Sequence, residues 1–152
     1  MISFKTKVFM PESTAAMLAK FNLEKGGLVQ QIIDKRVIDY CKPYVPKQTG
    51  VLEMSAYNAT QIGSGEVVYP GPYAHYMYYG EVYGPNIPIQ DAEGNVIFRS
   101  KPGSKKEPTG RALNYNTDLN PLAGSYWFER MKADHLDDIV EEARNVACGK
   151  QY

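Results

Sequence analysis

Apolar residues recur along this chain with two different periods. Between Leu28 and Cys41 they fall at Leu28, Val29, Ile32, Ile33, Val37, Ile38 and Cys41, the i, i+3, i+4 spacing of a helix with one apolar face. Such a helix is about 21 Å long. Tyr40 and Tyr44 extend its seam, and Pro43 stops it, because the residue before a proline avoids helical angles. A second long helix is predicted from Ser125 to Cys148. Leu136, Ile139, Val140, Ala143, Val146 and Ala147 form its stripe, and Trp127, Phe128 and Met131 broaden it at the start. Asp134, Asp137, Asp138, Glu141 and Glu142 lie mostly off that stripe, and Gly149 is a natural C-terminal stop. From Ile2 to Met10 the period is two, with Ile2, Phe4, Val8 and Met10 on one side, which predicts a strand. Pro11 ends it, a short helix follows over Glu12–Phe21, and Gly26-Gly27 breaks the chain before Leu28.

The middle is harder to pattern. Pro46-Lys47-Gln48-Thr49-Gly50 reads as a turn. Val51–Ile62 reads as a strand that returns through Gly63-Ser64-Gly65 into a second strand, Glu66–Tyr69, as a hairpin. After Pro72, Tyr73–Tyr79 is expected to form a helical turn or two, with Tyr73, Tyr76 and Met77 on one face. Gly80 to Asn120 is long, irregular and rich in proline (Pro85, Pro88, Pro102, Pro108), with a turn at Asp91–Asn95 and a short strand at Val96–Arg99. Loops beyond about 12–15 residues are usually functional or disordered, so residues 80–120 are expected to be an extended arm that lies on a neighbour. The expected fold is α+β: a small, mainly antiparallel sheet packed against two main helices, in one domain over 1–152.

Composition narrows the function. Hydrophobic residues at 43% and charged residues at 22% are ordinary for a globular domain. Lys plus Arg and Asp plus Glu are both 17. A formal net charge of zero argues against coating nucleic acid or an anionic membrane, and it opposes association little. No apolar run approaches the roughly 18 residues a membrane span needs, and the first residues alternate instead of building a signal-peptide block. Cys41 and Cys148 do not make a disulfide framework. Free thiols in a reducing cytosol are expected, although the sequence leaves a bridge between them open.

Six of the twelve tyrosines lie between Tyr69 and Tyr83: Tyr69, Tyr73, Tyr76, Tyr78, Tyr79 and Tyr83. Each has a large apolar ring and a hydroxyl that needs a partner or water. That density suits a surface that is wet in one state and covered in another, and Tyr and Met are enriched at interfaces. The competing reading is half-buried ring packing on a sheet.

Candidate chemistry is sparse. His75 sits among tyrosines, and His135 among Asp134, Asp137 and Asp138. His135 with Asp138 supplies two ligands, which do not make a metal site. An exposed histidine on an acidic helix face is the simpler account. Cys41 on an apolar face reads as a small buried hydrophobe, not a nucleophile. Ser125 follows a glycine but lacks the hydrolase elbow, and a helix cap explains it better. Lys101 to Lys106 lacks phosphate-loop spacing. Arg99, Lys101, Lys105, Lys106 and Arg111 face one acid, Glu107, and are candidates for DNA or inter-subunit contacts. No catalytic residue, cofactor or metal is expected.

Two segments together carry a resemblance. Tyr44-Val45-Pro46-Lys47-Gln48-Thr49-Gly50-Val51-Leu52 follows a helix, and Tyr69-Pro70-Gly71-Pro72-Tyr73-Ala74-His75-Tyr76 is followed by Tyr79-Gly80. The pair resembles the tailed-bacteriophage minor capsid proteins of the neck, within the broader head–tail joining or tail-completion family. The run Pro121 to Lys132 looks like the same subgroup, and the Gly80–Asn120 segment is longer than is usual in the broader family. The resemblance implies a structural virion protein and no enzyme, made in the bacterial host cytoplasm. It implies a homo-oligomeric ring, hexamer or dodecamer, at the head–tail interface. Its partners would be adjacent neck or connector and tail proteins, with transient contact with passing DNA and none with membrane. A nucleic-acid-binding module using Arg99–Arg111 is the alternative, and a small hydrolase built on His135 is a distant third.

Overall fold

The computed structural model describes residues 1–7 and 15–149, the side chains of 15–17 excepted. Val8 to Met10 of the predicted first strand and Glu12 to Thr14 of the predicted first helix lie outside these residues. The elements in chain order are β1 (Ile2–Lys5), α1 (Ala15–Lys20), α2 (Leu28–Cys41), α3 (Val51–Ala59), β2 (Glu66–Tyr69), α4 (Pro72–Tyr79), β3 (Glu81–Gly84), β4 (Ile87–Gln90), β5 (Val96–Arg99), β6 (Glu107–Ala112) and α5 (Trp127–Ala147).

The fold is α+β, organised around α2 and α5. The two helices run antiparallel: Arg36 pairs with Glu142, the Tyr40 hydroxyl donates to Glu142 at 3.2 Å, and the Tyr44 hydroxyl donates to Asp134 at 2.5 Å. Between them Ile33, Val37, Ile38, Cys41, Met131, Ile139 and Val146 are buried. The apolar stripe of α5 is wider than α2 can cover, so Leu136 and Val140 stay 45% and 44% exposed. A β1–β2 ribbon closes one end of the core, with Ile2 opposite Tyr69 and Lys5 opposite Glu66. Alternation turns Val67 and Tyr69 inward. Phe4 stacks on Phe128 at 4.4 Å, and Tyr69 meets the edge of the fully buried Trp127 at 5.5 Å.

One buried carboxylate joins the ribbon to α2. Asp34 accepts from Thr6 Oγ1 at 2.7 Å, Gln30 Nε2 at 2.8 Å, and the backbone N–H groups of Gly63 at 2.7 Å and Gly65 at 3.2 Å. Its position among apolar residues on the inner face of α2 is explained by these donors, since a buried charge without partners is costly.

Three expectations are corrected. Val51–Ala59 is a helix, not a strand. Gly50 opens it at φ 81°, Leu52 and Ala56 turn inward one helical turn apart, and Leu, Glu, Met and Ala favour this state. Glu66–Tyr69 therefore has no local hairpin partner and pairs with β1 instead. The single small sheet is three separate two-stranded antiparallel sheets, β1–β2, β3–β6 and β4–β5.

The expectation of an irregular arm changes too. Glu81 lies opposite Ala112 and Gly84 opposite Glu107, while Ile87 lies opposite Arg99 and Gln90 opposite Val96. Leu113 donates its N–H to the Gly80 carbonyl at 2.8 Å, and the Ser100 hydroxyl donates to Asn86 at 2.7 Å between the two ladders. Residues 80–113 thus form two short antiparallel ladders in succession, β3–β6 and β4–β5, separated at Pro85 and by a loop over 101–106. Strands of four residues punctuated by prolines left too little alternation for this pairing to be read from sequence. Among the described residues, no helix is long and apolar enough to cross a membrane.

Candidate interaction surface

The tyrosine-rich segment divides when it folds. Ala74 and Tyr78, one turn apart on α4, point into the core, where Tyr78 meets Trp127 at 4.8 Å and Phe4 at 5.1 Å. Tyr69 is 1% exposed on β2. Burial pushes both phenols above their ordinary range. As interface candidates Tyr69 and Tyr78 are therefore corrected: their rings are committed to the chain's own core.

The other four remain at the surface in two groups. Tyr73, 69% exposed, and Met77 lie one turn apart on α4 and line a groove of about 610 Å³. The opposite wall is the Pro46–Leu52 turn, and Leu113 to Asn116 close the end. The two segments that carry the sequence resemblance thus face each other across one depression. Tyr115 donates to the Met77 carbonyl at 2.5 Å, Asn120 donates to the carbonyls of Lys42 and Val45 at 2.9 and 2.8 Å, and Tyr126 N–H donates to the Tyr78 carbonyl at 2.9 Å. These bonds fix both walls to the segment that leads into α5. Lys47 on the rim is paired with Glu53 at 2.9 Å. The second group is an aromatic cluster: Tyr76 lies 4.5 Å from Tyr83, His75 lies 4.9 Å from Tyr79, and Tyr79 lies 5.9 Å from Tyr126. Tyr126 belongs to this cluster although it is distant in sequence.

The far end of the 80–113 segment is a further unpaired surface. On the β4–β5 hairpin, Ile87 and Ile89 share one face with Ile97, and Phe98 and Val96 share the other with Pro88. Phe98 is 66% and Val96 57% exposed, and the hairpin makes no extensive contact with any other element. Val96–Arg99 is legible in the sequence as a strand and its partner is not; the alternation of Ile87 and Ile89 around Pro88 is the one signal for it.

The remaining candidates do not converge on chemistry. Arg99 ends β5, Lys101, Lys105 and Lys106 stand on the 101–106 loop, and Arg111 lies on β6; all five are exposed. His135 is half-buried, not exposed as expected: its ring stacks on Tyr40 at 4.6 Å and its Nδ1 lies 3.1 Å from Asp138. Among the described residues, no group of three or more His, Cys, Asp or Glu is placed to hold a metal ion. Burial raises the Cys41 thiol to about 12, and Cys148 is exposed. Ser125 does not cap α5; the helix starts from Tyr126 at φ 50° with no side-chain cap.

No known protein family, curated protein or solved structure matches this chain.

Proposed function

We propose that this chain is a non-enzymatic structural protein of the virion neck of a tailed phage. In this reading it assembles head to tail into a ring, hexamer or dodecamer, joins the DNA-filled head to the tail, and touches adjacent connector and tail proteins. The observation that carries the reading is the β4–β5 hairpin. A two-stranded hairpin is marginally stable in water at best, yet this one holds Ile87, Ile89, Val96 and Phe98 in solvent. Such a surface is explained by a protein that covers it. The groove between Pro46–Leu52 and α4, and the aromatic cluster beside it, are additional contact area of the kind enriched at interfaces. A heterologous contact closes into a ring when the rotation between copies suits. Virions carrying an epitope tag at the C-terminus should label at the neck. The purified protein should form a closed oligomer or bind neck and tail components. A stable monomer that binds none of them, with no label on particles, rules the reading out.

A second reading has one observation in its favour. The five bases on the 80–113 segment are exposed, and none is in an ion pair among the described residues. A nucleic-acid-binding module built on Arg99–Arg111 predicts steeply salt-dependent binding. Lys105→Ala with Lys106→Ala should then reduce the slope of log K against log salt by about 2. No detectable DNA affinity at low salt excludes it.

A further inference from the structure

We infer that the β4–β5 hairpin of one copy docks into the apolar groove between α2 and α5 of a second copy. The inference rests on the assembly reading above and names the two surfaces that meet. The acceptor groove is distinct from the one beside α4. It encloses about 590 Å³ between α2, α5 and β1, with a floor of Val29, Ile33 and Val37 and an outer wall of Leu136, Val140 and Ala143.

Three observations select this pairing. The first is chemical likeness. The groove is aliphatic, with Phe128 its one aromatic ring among the described residues, and the hairpin carries Ile87, Ile89, Val96 and Phe98 with no extensive cover of their own. Each surface exposes what the other would bury, which is the main favourable term in association.

The second is charge. The groove rim carries Lys5, Lys7, Lys132 and Arg144, and no acid lines it among the described residues. The hairpin turn carries Asp91 and Glu93 and no base. Asp91 is held as an anion by the turn itself: the N–H of Asn95 at 2.8 Å, then that of Glu93 at 3.0 Å, donate to it and lower its pKa. An acidic tip entering a basic rim orients the hairpin and disfavours the reverse approach. The groove beside α4 has no such field, because its one charged lining residue, Lys47, is already paired with Glu53.

The third is access. The hairpin follows a second short ladder rooted at Gly80 and Leu113 and makes no extensive contact with any other element, so its own body leaves its apolar faces open. Donor and acceptor are different surfaces of one chain, so a head-to-tail arrangement leaves one of each open on every copy and propagates the contact, as ring closure requires.

A photocrosslinking residue replacing Phe98 tests the docking directly, using mixed isotope-labelled and unlabelled full-length protein. Crosslinks should join Phe98 of one copy to Leu136, Val140 or their neighbours on α5 of another. Crosslinks to α5 within one chain, or to Val51 and Tyr73 of a second copy, overturn the docking while leaving self-assembly intact. Charge reversal gives an independent reading. Glu93→Lys, which leaves the turn bonds to Asp91 in place, and separately Lys132→Glu with Arg144→Glu, should each weaken self-association about 10-fold or more, and the two sets combined should restore it. All three positions are exposed, and circular dichroism verifies that each variant is folded. Unchanged association in both single sets overturns the docking. A wild-type chain that stays monomeric yet binds neck or tail components removes the docking and keeps the proposed function; a monomer that binds nothing removes both.

Discussion

Replacing Asp34 by alanine should be among the most damaging single changes in this protein, and its size follows from four donors. Gly63 and Gly65 are buried, and their N–H groups both reach Asp34 Oδ2. Without it each is left unpaired, at about 1–3 kcal/mol apiece. The side chains of Thr6 and Gln30 also lose a charged acceptor, worth about 1 kcal/mol more after they rotate toward water. Relief from burying a carboxylate offsets part of this. The net loss is about 4 kcal/mol, against a total stability of roughly 5–15 kcal/mol for a typical domain. For a chain of this length it lowers Tm by roughly 8–16 °C. Asp34→Asn keeps one acceptor oxygen but turns an amide N–H₂ toward donors, and should lose about 2 kcal/mol. Urea denaturation followed by circular dichroism measures both, with exposed Glu141→Ala as a control that should stay within about 0.5 kcal/mol. A loss below about 1 kcal/mol for Asp34→Ala, at unchanged denaturant slope, refutes the assignment of Asp34 as the clamp between α2, β1 and the 63–65 loop.

Gly80 adopts φ 71°, and a Cβ there would lie 2.9 Å from Tyr115 Oη and 3.0 Å from Ser125 Cβ. Gly80→Ala should therefore cost about 2–3 kcal/mol and speed exchange of the Leu113 amide that anchors the β3–β6 ladder; wild-type exchange and stability would count against this role. Stability should also fall at alkaline pH. Burial raises the Cys41 thiol from 9.0 to about 12. The hydrogen bond to Asp134, then burial, raises the Tyr44 phenol from 10.0 to about 12. Burial raises Tyr69 and Tyr78 as well. Folded values above unfolded ones mean that the contribution is complete below about pH 9. It is lost as pH rises toward about 12, at about 1.4 kcal/mol per pH unit for each group the unfolded chain has ionised. Urea midpoints measured from pH 8 to 11 should decline, and a flat profile contradicts the burial of these groups. Alkylation at pH 8 followed by mass spectrometry should modify Cys148 in the native protein and reach Cys41 only after unfolding, since the thiolate is the reactive form; rapid native labelling of Cys41 would contradict its burial.

The amino-acid sequence by itself determined the two long helices, with α2 bounded at Leu28 and Cys41 as observed. It also determined the α+β class, the core role of Trp127, and the short helix after Pro72. Each depends on a periodicity or a stop signal within a dozen residues, and local patterns of that kind survive in almost any tertiary context. What faced what was decided only on folding. Tyr69 and Tyr73 are equivalent phenols in the sequence, yet Tyr69 is sealed against Trp127 and Tyr73 stands in water, because β2 pairs with a strand more than sixty residues earlier. Val51, Tyr57, Thr60 and Ile62 give the 51–62 segment the look of a strand; Gly50, the inward turn of Ala56 and the Tyr57 hydrogen bond to Asp39 make Val51–Ala59 a helix. The β3–β6 ladder joins residues more than twenty positions apart, beyond any local window, and the nearer β4–β5 pair carries too short an alternation around Pro88 to stand out. The open groove on α5 exists because one helix cannot cover a stripe that wide. Periodicity encodes which residues must leave water; long-range pairing and the limited width of each neighbour fix which of them do.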